Sequence, residues 1–468
     1  MGSSEPDPLV ESTETSDPAE AAPRGVPAGA ALALVGSASS VEPAESAAPR
    51  WGQAKRLLFR FAFSYLVLYN LPFPVDYLFY FTNVDVSGAY QAWSFLVTSA
   101  GDAVFHVETS ALANGSGDTP YRYVQVFCIL VLALAAAAIW TFLDRRRPNY
   151  VRLHEWLRIY VRYALAFTML SYGAIKVIPS QFSSPTLDRL LQPFGDASPM
   201  GLLWTFMGAS AAYTIFAGAS EMLGGLLLTT RRTALLGALV SIGVLTNVVM
   251  MNFCYDVPVK QFSAHLLAMA VFLALPDLGR LASLLVLNRE VEPAPMRPVF
   301  TRKWLDRGAL VLRTVLVLGY TVLMLNYAHN NSRRYGSLAP KPPLYGIWNV
   351  EEMVVDGRAR PPLATGGTRW QRVIFSNSYT VAIQLMNDSR QRYMLEHDTG
   401  RKRLGLSKLD DLDWKSTLSY RQLGPRLLAI EGSFDGHRLR ARLRRVDEPE
   451  LRLVNRGFHW INEYPFNR

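Results

Sequence analysis

The sequence predicts a multi-pass α-helical membrane bundle of about seven spans, followed by a C-terminal all-β antiparallel barrel. Three observations predict it. Half of the 468 residues are apolar and only 18% are charged, a balance that leans towards a membrane protein. Between residues 51 and 335 the apolar residues gather into runs of about 20, the length that crosses a bilayer. From Pro340 the texture changes: short alternating runs are separated by turn residues roughly every 8–12 positions, as in a sandwich or barrel.

The net charge of +10 would suggest nucleic acid in a soluble chain. Here the arginines flank apolar runs or decorate the C-terminal third, and no zinc-finger or RNP-like motif accompanies them, so nucleic acid is set aside as a partner. The lipid bilayer is the expected one. The two cysteines, Cys128 and Cys254, lack metal-type spacing and read as buried thiols. No Walker loop, Rossmann fingerprint, zinc motif, nucleophile elbow or haem-attachment motif occurs, so no bound metal is expected.

Residues 1–50, rich in Ala, Pro, Ser and Glu, read as a disordered tail. The tail is acidic and unlike a signal peptide. Lys55, Arg56 and Arg60 then open a first span that Pro72 and Pro74 end or break before Phe81. The positive-inside rule puts its start in the cytoplasm. Trp93–Val107 reads as a helix lying on the outer surface. The second span, Tyr121–Leu143, ends at Asp144-Arg-Arg-Arg-Pro. The third runs from Arg158 to Pro179, the fourth from Ala211 to Leu228, and the fifth from Ala234 to Asn252. The sixth starts near Phe262, with Pro276 at its inner end. Leu278–Val291 reads as an amphipathic surface helix, and the seventh span covers Ala309–Tyr327. An odd number of spans places the C-terminal domain, residues 340–468, outside the cytoplasm, and a bacterial inner membrane is the expected location.

In the C-terminal domain, Leu439, Ala441 and Leu443 face in while Arg438, Arg440, Arg442 and Arg444 face out; Val381, Ile383 and Leu385 also face in. Asp356-Gly357, Asn387-Asp388 and Asp435-Gly436 are hairpin signals. Some eight strands are expected. The outward arginine stripe reads as a solvated face or as a surface for anionic lipid headgroups. Packed core and apolar-ligand cavity are equally compatible with the inward residues.

One stretch carries chemistry. Lys176, in Ser171–Phe182, closes an apolar run, and a lysine in a span costs roughly 2.5–3.5 kcal/mol unless it pairs or reaches water. Snorkelling to the interface is one solution. The other is a polar pocket, because topology brings several groups to the same level: Tyr172 one turn before Lys176, Gln181 beyond it, Asn247, Asn252, Asp256, Lys260 and His265 around the fifth and sixth spans, and Glu221 deeper in the fourth. Helical rise separates Glu221 from Lys176 by about 10 Å of depth, so a water-filled pocket is expected rather than a tight pair. Lys176, Glu221 and Asp256 are the candidate catalytic residues; Tyr172, Gln181, Asn247, Asn252, Lys260 and His265 are candidate ligand contacts.

Tyr-Gly-x-x-Lys in the third span, followed by Ser220-Glu-Met-Leu-Gly-Gly-Leu-Leu-Leu-Thr-Thr-Arg-Arg, resembles the pattern of DoxX-like membrane proteins over residues 158–281. That resemblance implies a quinone-linked membrane redox component with a redox protein partner and quinone as carrier. The extra spans and the β-domain depart from that family. A more distant analogy is to the membrane half of vitamin K-dependent carboxylases, which also join intramembrane lysine chemistry to an outer β-domain. Gly346-Ile-Trp348 at the first strand resembles the lipocalin Gly-x-Trp signature, and Arg456 matches the arginine that covers the tryptophan there. A lipocalin-like barrel implies the alternative of a membrane-anchored lipid- or apolar-ligand-binding protein without catalytic activity. A purely structural subunit is the third reading.

Overall fold

The computed structural model describes residues 50–75, 87–112, 114–293, 302–363, 367–408, 410–411, 413–446 and 451–467. The tail expected over residues 1–50 lies, except for Arg50, outside the described residues, as does the end of the first expected span.

The helical part contains α1 (Gln53–Asn70), α2 (Ser87–Ala100), α3 (Pro120–Leu143), α4 (Val151–Val177), the single turn α5 (Leu187–Leu190), α6 (Pro199–Ala209), α7 (Ala211–Thr229), α8 (Ala234–Cys254), α9 (Lys260–Ala274), α10 (Leu278–Leu285) and α11 (Lys303–Tyr335). Local chemistry sets several starts. Thr119 before Pro120 and Ser198 before Pro199 accept from Arg122 N and Gly201 N, and Ser210 accepts from Tyr213 N. A hydroxyl cap with proline at the first helical position suits orphan helix-start amides. Within the expected Trp93–Val107 surface segment, α2 ends at Ala100 and passes into a wider turn over Gly101–Phe105.

Among the described residues, five helical stretches are long and apolar enough to cross a membrane: α3, α7, α8, the continuous Lys260–Leu285 stretch and α11. The chain is therefore a membrane protein with several apolar helices. The other two expected spans, α1 and α4, are helical but charged. α1 carries Lys55, Arg56 and Arg60, and α4 carries Arg152, Glu155, Arg158, Arg162 and Lys176.

The charges on α4 fit its position at the centre of the bundle. Leu157, Val161, Leu165 and Met169 pack with Leu228 of α7, Ala238 and Leu245 of α8, and Leu266, Met269 and Leu273 of α9. α4 and α7 run antiparallel at backbone contact. A Cβ on Gly173 would lie 2.7 Å from Gly218 O, one on Gly218 2.6 Å from the Lys176 Cβ, and one on Gly225 2.9 Å from Ala166 O. Small residues are what let helices approach this closely in a membrane. Cys128 is buried as expected, but Cys254 at the end of α8 is exposed.

The C-terminal part is a closed antiparallel barrel. Strands β1 (Gly346–Val355), β2 (Arg358–Ala359), β3 (Trp370–Phe375), β4 (Thr380–Leu385), β5 (Arg390–Asp398), β6 (Arg403–Lys408), β7 (Lys415–Gly424), β8 (Leu427–Phe434) and β9 (His437–Arg445) follow in order. β1 pairs with both β3 and β9 and so closes an eight-stranded ring, with β2 as a short arm on β1. The hairpin turns Asp356-Gly357 and Asp435-Gly436 both have positive φ at their two residues, 50° and 78°, then 50° and 80°, the conformation that Asp-Gly favours.

The interior of the barrel is filled. Trp370 and Tyr393 contact Phe434 at ring distances of 4.9 and 5.6 Å, and Trp414 contacts Tyr393 and Phe434 at 5.3 and 5.5 Å. Leu439, Ala441 and Leu443 lie inside with Val381, Ile383 and Leu385, as the alternation requires. This is a packed core rather than a ligand cavity. Trp348 is buried and donates from Nε1 to Leu344 O at 2.9 Å. Arg456 does not cover it: the Arg456 guanidinium stacks on Phe466 at 3.8 Å and bonds Asn462. The arginine at the start of β1 is instead Arg445, paired with Trp348 across β1 and β9, its Nε 2.8 Å from where a Gly346 Cβ would sit. Gly346 has φ of 140°, so both backbone and space require glycine there.

The α5 turn lies against the outer face of the barrel. Leu187 packs with Ile347, Ile374 and Ala382, which explains why β3 and β4 are buried on both faces. Asp188 receives Arg390 at 3.2 Å and Arg392 at 2.6 Å. The outward arginine stripe is counter-charged: Arg442 and Arg444 face Glu351, and Arg438 and Arg440 face Glu431. Such pairing favours a solvated face over one left open for lipid phosphate.

Candidate functional site

Two polar clusters lie toward the end of the bundle that carries the α5 turn. The first is the Lys176–Glu221 pair. Lys176 Nζ donates to Glu221 Oε2 at 2.8 Å and to Tyr172 O at 3.3 Å. The residues are 7% and 4% exposed, so the pair is desolvated. Tyr172 holds its ring 5.4 Å from Nζ. The contact is direct, where a water-filled gap was expected. Side chains on a helix lean toward its N-terminus. On antiparallel helices, Lys176 and Glu221 therefore lean toward each other, and the glycine contact at Gly173–Gly218 brings their backbones close enough to meet. Burying two charges is costly unless the geometry is good and other hydrogen bonds help. The lysine is therefore a buried partner rather than an interfacial snorkel.

The second cluster joins α1 to α9. His265 Nδ1 lies 2.8 Å from Gln261 O, and Nε2 lies 2.6 Å from the Tyr65 hydroxyl. A carbonyl can only accept, so Nδ1 carries the proton. In the neutral imidazole Nε2 then accepts from Tyr65. Tyr69, one turn from Tyr65, stacks flat on the imidazole, with centroids 4.1 Å apart and planes 7° apart. Tyr172 meets Phe262 of α9 at 5.9 Å. Tyr172 is 39% exposed. It lies on the same helix face as Lys176 and borders both clusters.

The remaining expected residues separate from these. Asp256 is not in the Lys176 pocket. Its side chain is 83% exposed and pairs with Lys260 at 2.8 Å. Lys260 also lies 3.9 Å from Asp118, whose carboxylate accepts the backbone N–H groups of Lys260 and Gln261 at 2.8 and 3.2 Å. Asp118 thus supplies, from the preceding loop, the cap that α9 lacks locally. Asn252 is buried but bonds Ser263 at 3.0 Å. Asn247 is exposed on α8 and faces away. Gln181 leaves Oε1 buried without a hydrogen-bond partner, so its amide has an unused polar atom beyond the end of α4.

Tyr65 and Tyr69 were not among the expected site residues. Their signal was present as an i, i+4 pair of phenols inside an apolar run, which places both on one helix face. Asp118 and Asp188 gave no local signal, since each acts on an element distant in sequence. Among the described residues no group of three His, Cys, Asp or Glu side chains is arranged to hold a metal.

Fold and site together define a polytopic helical membrane protein with a buried lysine–glutamate pair, a histidine–tyrosine stack and a packed antiparallel barrel. No family model matches the chain, and no solved structure does. Over 118 residues the chain is 36% identical to the uncharacterized protein YwoB of Bacillus subtilis strain 168, an alignment covering 25% of this chain and 73% of that protein. The chain belongs to the same family as YwoB through that region.

Proposed function

We propose that this protein is a quinone-linked membrane redox component that binds the quinone ring beside the Tyr65–His265–Tyr69 stack. The observation that carries this reading is the stack itself. A quinone needs flat aromatic walls and hydrogen-bonding groups for its carbonyl oxygens. Tyr69 and Tyr172 supply aromatic faces, and Tyr65 with His265 supplies a proton-carrying pair. Reduction of a quinone to a quinol takes two electrons and two protons. Histidine and tyrosine can pass the protons, and the electrons come from a separate redox protein partner. Lys176–Glu221 sets a fixed charge pair on the neighbouring helices, and Tyr172 links it to the stack. The Tyr-Gly-x-x-Lys and Glu-x-x-Gly-Gly spacing shared with DoxX-like proteins supports the same reading. The filled barrel interior argues against the barrel as a lipid receptor.

On this reading α1 and α4 complete seven spans in a bacterial inner membrane. The arginine-rich helix ends are cytoplasmic and the barrel is outside. Reporter fusions after Thr229 and after Arg468 are expected on opposite sides; the same side for both overturns the topology. Mass spectrometry of organic extracts of the purified protein is expected to find an isoprenoid quinone near one per chain. Its absence from protein purified in mild detergent overturns the quinone assignment.

A further inference from the structure

The chain after β9 carries aromatic side chains that lie outside the barrel core. Val446 and Leu451 pack with Leu187, Ile347, Ile374 and Ala382, on the outer barrel face that receives the α5 turn. The single turn α12 (Arg452–Asn455) follows, and Gly457, with φ of 70°, redirects the chain after it. Arg456 fixes the loop that results, because its guanidinium stacks on Phe466 and donates to Asn462 Oδ1. Held in this way, the loop turns Phe458, Trp460, Ile461 and Tyr464 outward. Trp460 is 91% and Ile461 88% exposed, and Phe458 meets Trp460 edge-on at 5.1 Å. His459, Asn462 and Glu463 are interspersed among them. A second segment, distant in sequence, offers a residue of the same kind. Leu191, just after the α5 turn, packs in the cluster that holds Leu451, and Phe194, three residues on, is 79% exposed.

Gathered apolar side chains on a protein surface mark a place that meets another molecule or another phase. The position of the barrel selects the phase. α11 is long and apolar enough to cross a membrane, and Tyr335 at its end meets Tyr379, in the β3–β4 turn, with ring centroids 5.6 Å apart. The loop before the α5 turn is tied to the same place, since the Ser184 N–H donates to Ser337 Oγ at 3.0 Å. The β3–β4 end of the barrel therefore stands at the membrane. The tail leaves from that end: β9 finishes at Arg445 opposite Trp348, and β1 begins at Gly346 opposite Phe375, the last residue of β3. Tryptophan and tyrosine gather at membrane–water boundaries, where one part of the ring system meets lipid and the polar edge stays wet. A span needs about 20 mainly apolar residues, and this tail, with Arg452, Arg456, Glu463 and its asparagines, is too short and too polar for one. We infer that the tail is an interfacial anchor. Phe458, Trp460, Ile461 and Tyr464, together with Phe194, seat at the boundary between headgroups and acyl chains and hold the barrel against the bilayer. The inference depends neither on the quinone site nor on which side of the membrane the barrel occupies.

The test uses the full chain reconstituted in phosphatidylcholine vesicles. Cys254→Ser removes the exposed thiol and leaves the buried Cys128. Ile461→Cys then takes an environment-sensitive fluorophore at a position exposed enough to spare the fold. Asp413→Cys, in the exposed turn before β7 at the opposite end of the barrel, is the control. On reconstitution the emission of the label at 461 is expected to shift to the blue. Nitroxide carried near the lipid headgroup should quench it roughly threefold more than nitroxide at the acyl-chain end, the order expected of a shallow anchor. The label at 413 should show neither effect. Phe458→Ser combined with Trp460→Ser, both surface changes, should cut the quenching at 461 at least about twofold. Emission at 461 that stays as in water overturns the assignment, as does a blue shift without nitroxide quenching, which would mean that protein covers the loop. Strongest quenching from the chain end, equal quenching at 413, or quenching untouched by the double variant would overturn it too.

Discussion

Replacing Lys176 with methionine keeps the length of the side chain and removes its charge. It also removes the donors to Glu221 at 2.8 Å and to Tyr172 O at 3.3 Å. Glu221 is then 4% exposed with no counter-charge. Breaking a buried pair on one side costs roughly 3–5 kcal/mol, whereas replacing both charges with neutral groups of similar volume is often close to neutral. Lys176→Met should therefore destabilise by roughly that amount. Lys176→Met with Glu221→Gln should lie within about 1 kcal/mol of the wild type, and the coupling should reach at least about 2 kcal/mol. Asp256→Asn should show no coupling to Lys176→Met, because Asp256 pairs with Lys260 at the surface. Thermal unfolding of the wild type, the three single variants and the two double variants in one detergent at one pH gives both cycles. If Lys176→Met melts with the wild type, the pair does not bear on stability and the explanation given for Lys176 in a span is wrong.

Two further outcomes follow from the barrel. Trp348→Ala should lower its stability by roughly 3–5 kcal/mol, as for a large buried aromatic, read from the β-sheet circular dichroism of residues 340–468 expressed alone; a loss below about 1 kcal/mol would contradict the burial of Trp348. Acid should weaken the barrel through two carboxylates held below their ordinary range, Asp356 by the Arg438 N–H and then His437, and Glu431 by Arg440 and then Arg438. A depressed carboxylate contributes stability above its unfolded pKa, about 4 here, and loses it as pH falls through the folded value. Glu431→Gln should flatten the acid limb of melting temperature against pH, and an unchanged limb would refute the assignment.

Much of the barrel was legible because its code is local. Alternation puts Leu439, Ala441 and Leu443 inside, and Asp-Gly turns fix the hairpins. The filling of its interior was not legible, because it depends on rings from β3, β5 and β8 meeting across the barrel. In the bundle the helix positions could be read, but the depth of Glu221 relative to Lys176 was misjudged. Residue counting gives Cα heights, whereas the two side chains lean toward each other across a glycine contact. Asp256 was placed with Lys176 because both lie near helix ends at one level; its nearer neighbour, Lys260 at i+4, takes it instead. Arg456 was assigned by motif alone, and the strand pairing of β1 with β9 gives that place to Arg445.

Quinone binding at the histidine–tyrosine stack is the central claim, and titration with a short-chain quinone analogue tests it most directly. Delipidated full-length protein should retain close to one analogue per chain through gel filtration, measured by mass spectrometry. Tyr69→Leu removes the flat wall on His265, and His265→Leu removes the ring itself and the partner of Tyr65. Each change should weaken retention roughly tenfold or more, the equivalent of about 1.4 kcal/mol, while Asn247→Ala on the far face of α8 should not. Retention that is absent from the wild type, or undiminished in both the Tyr69 and His265 variants, would contradict the account.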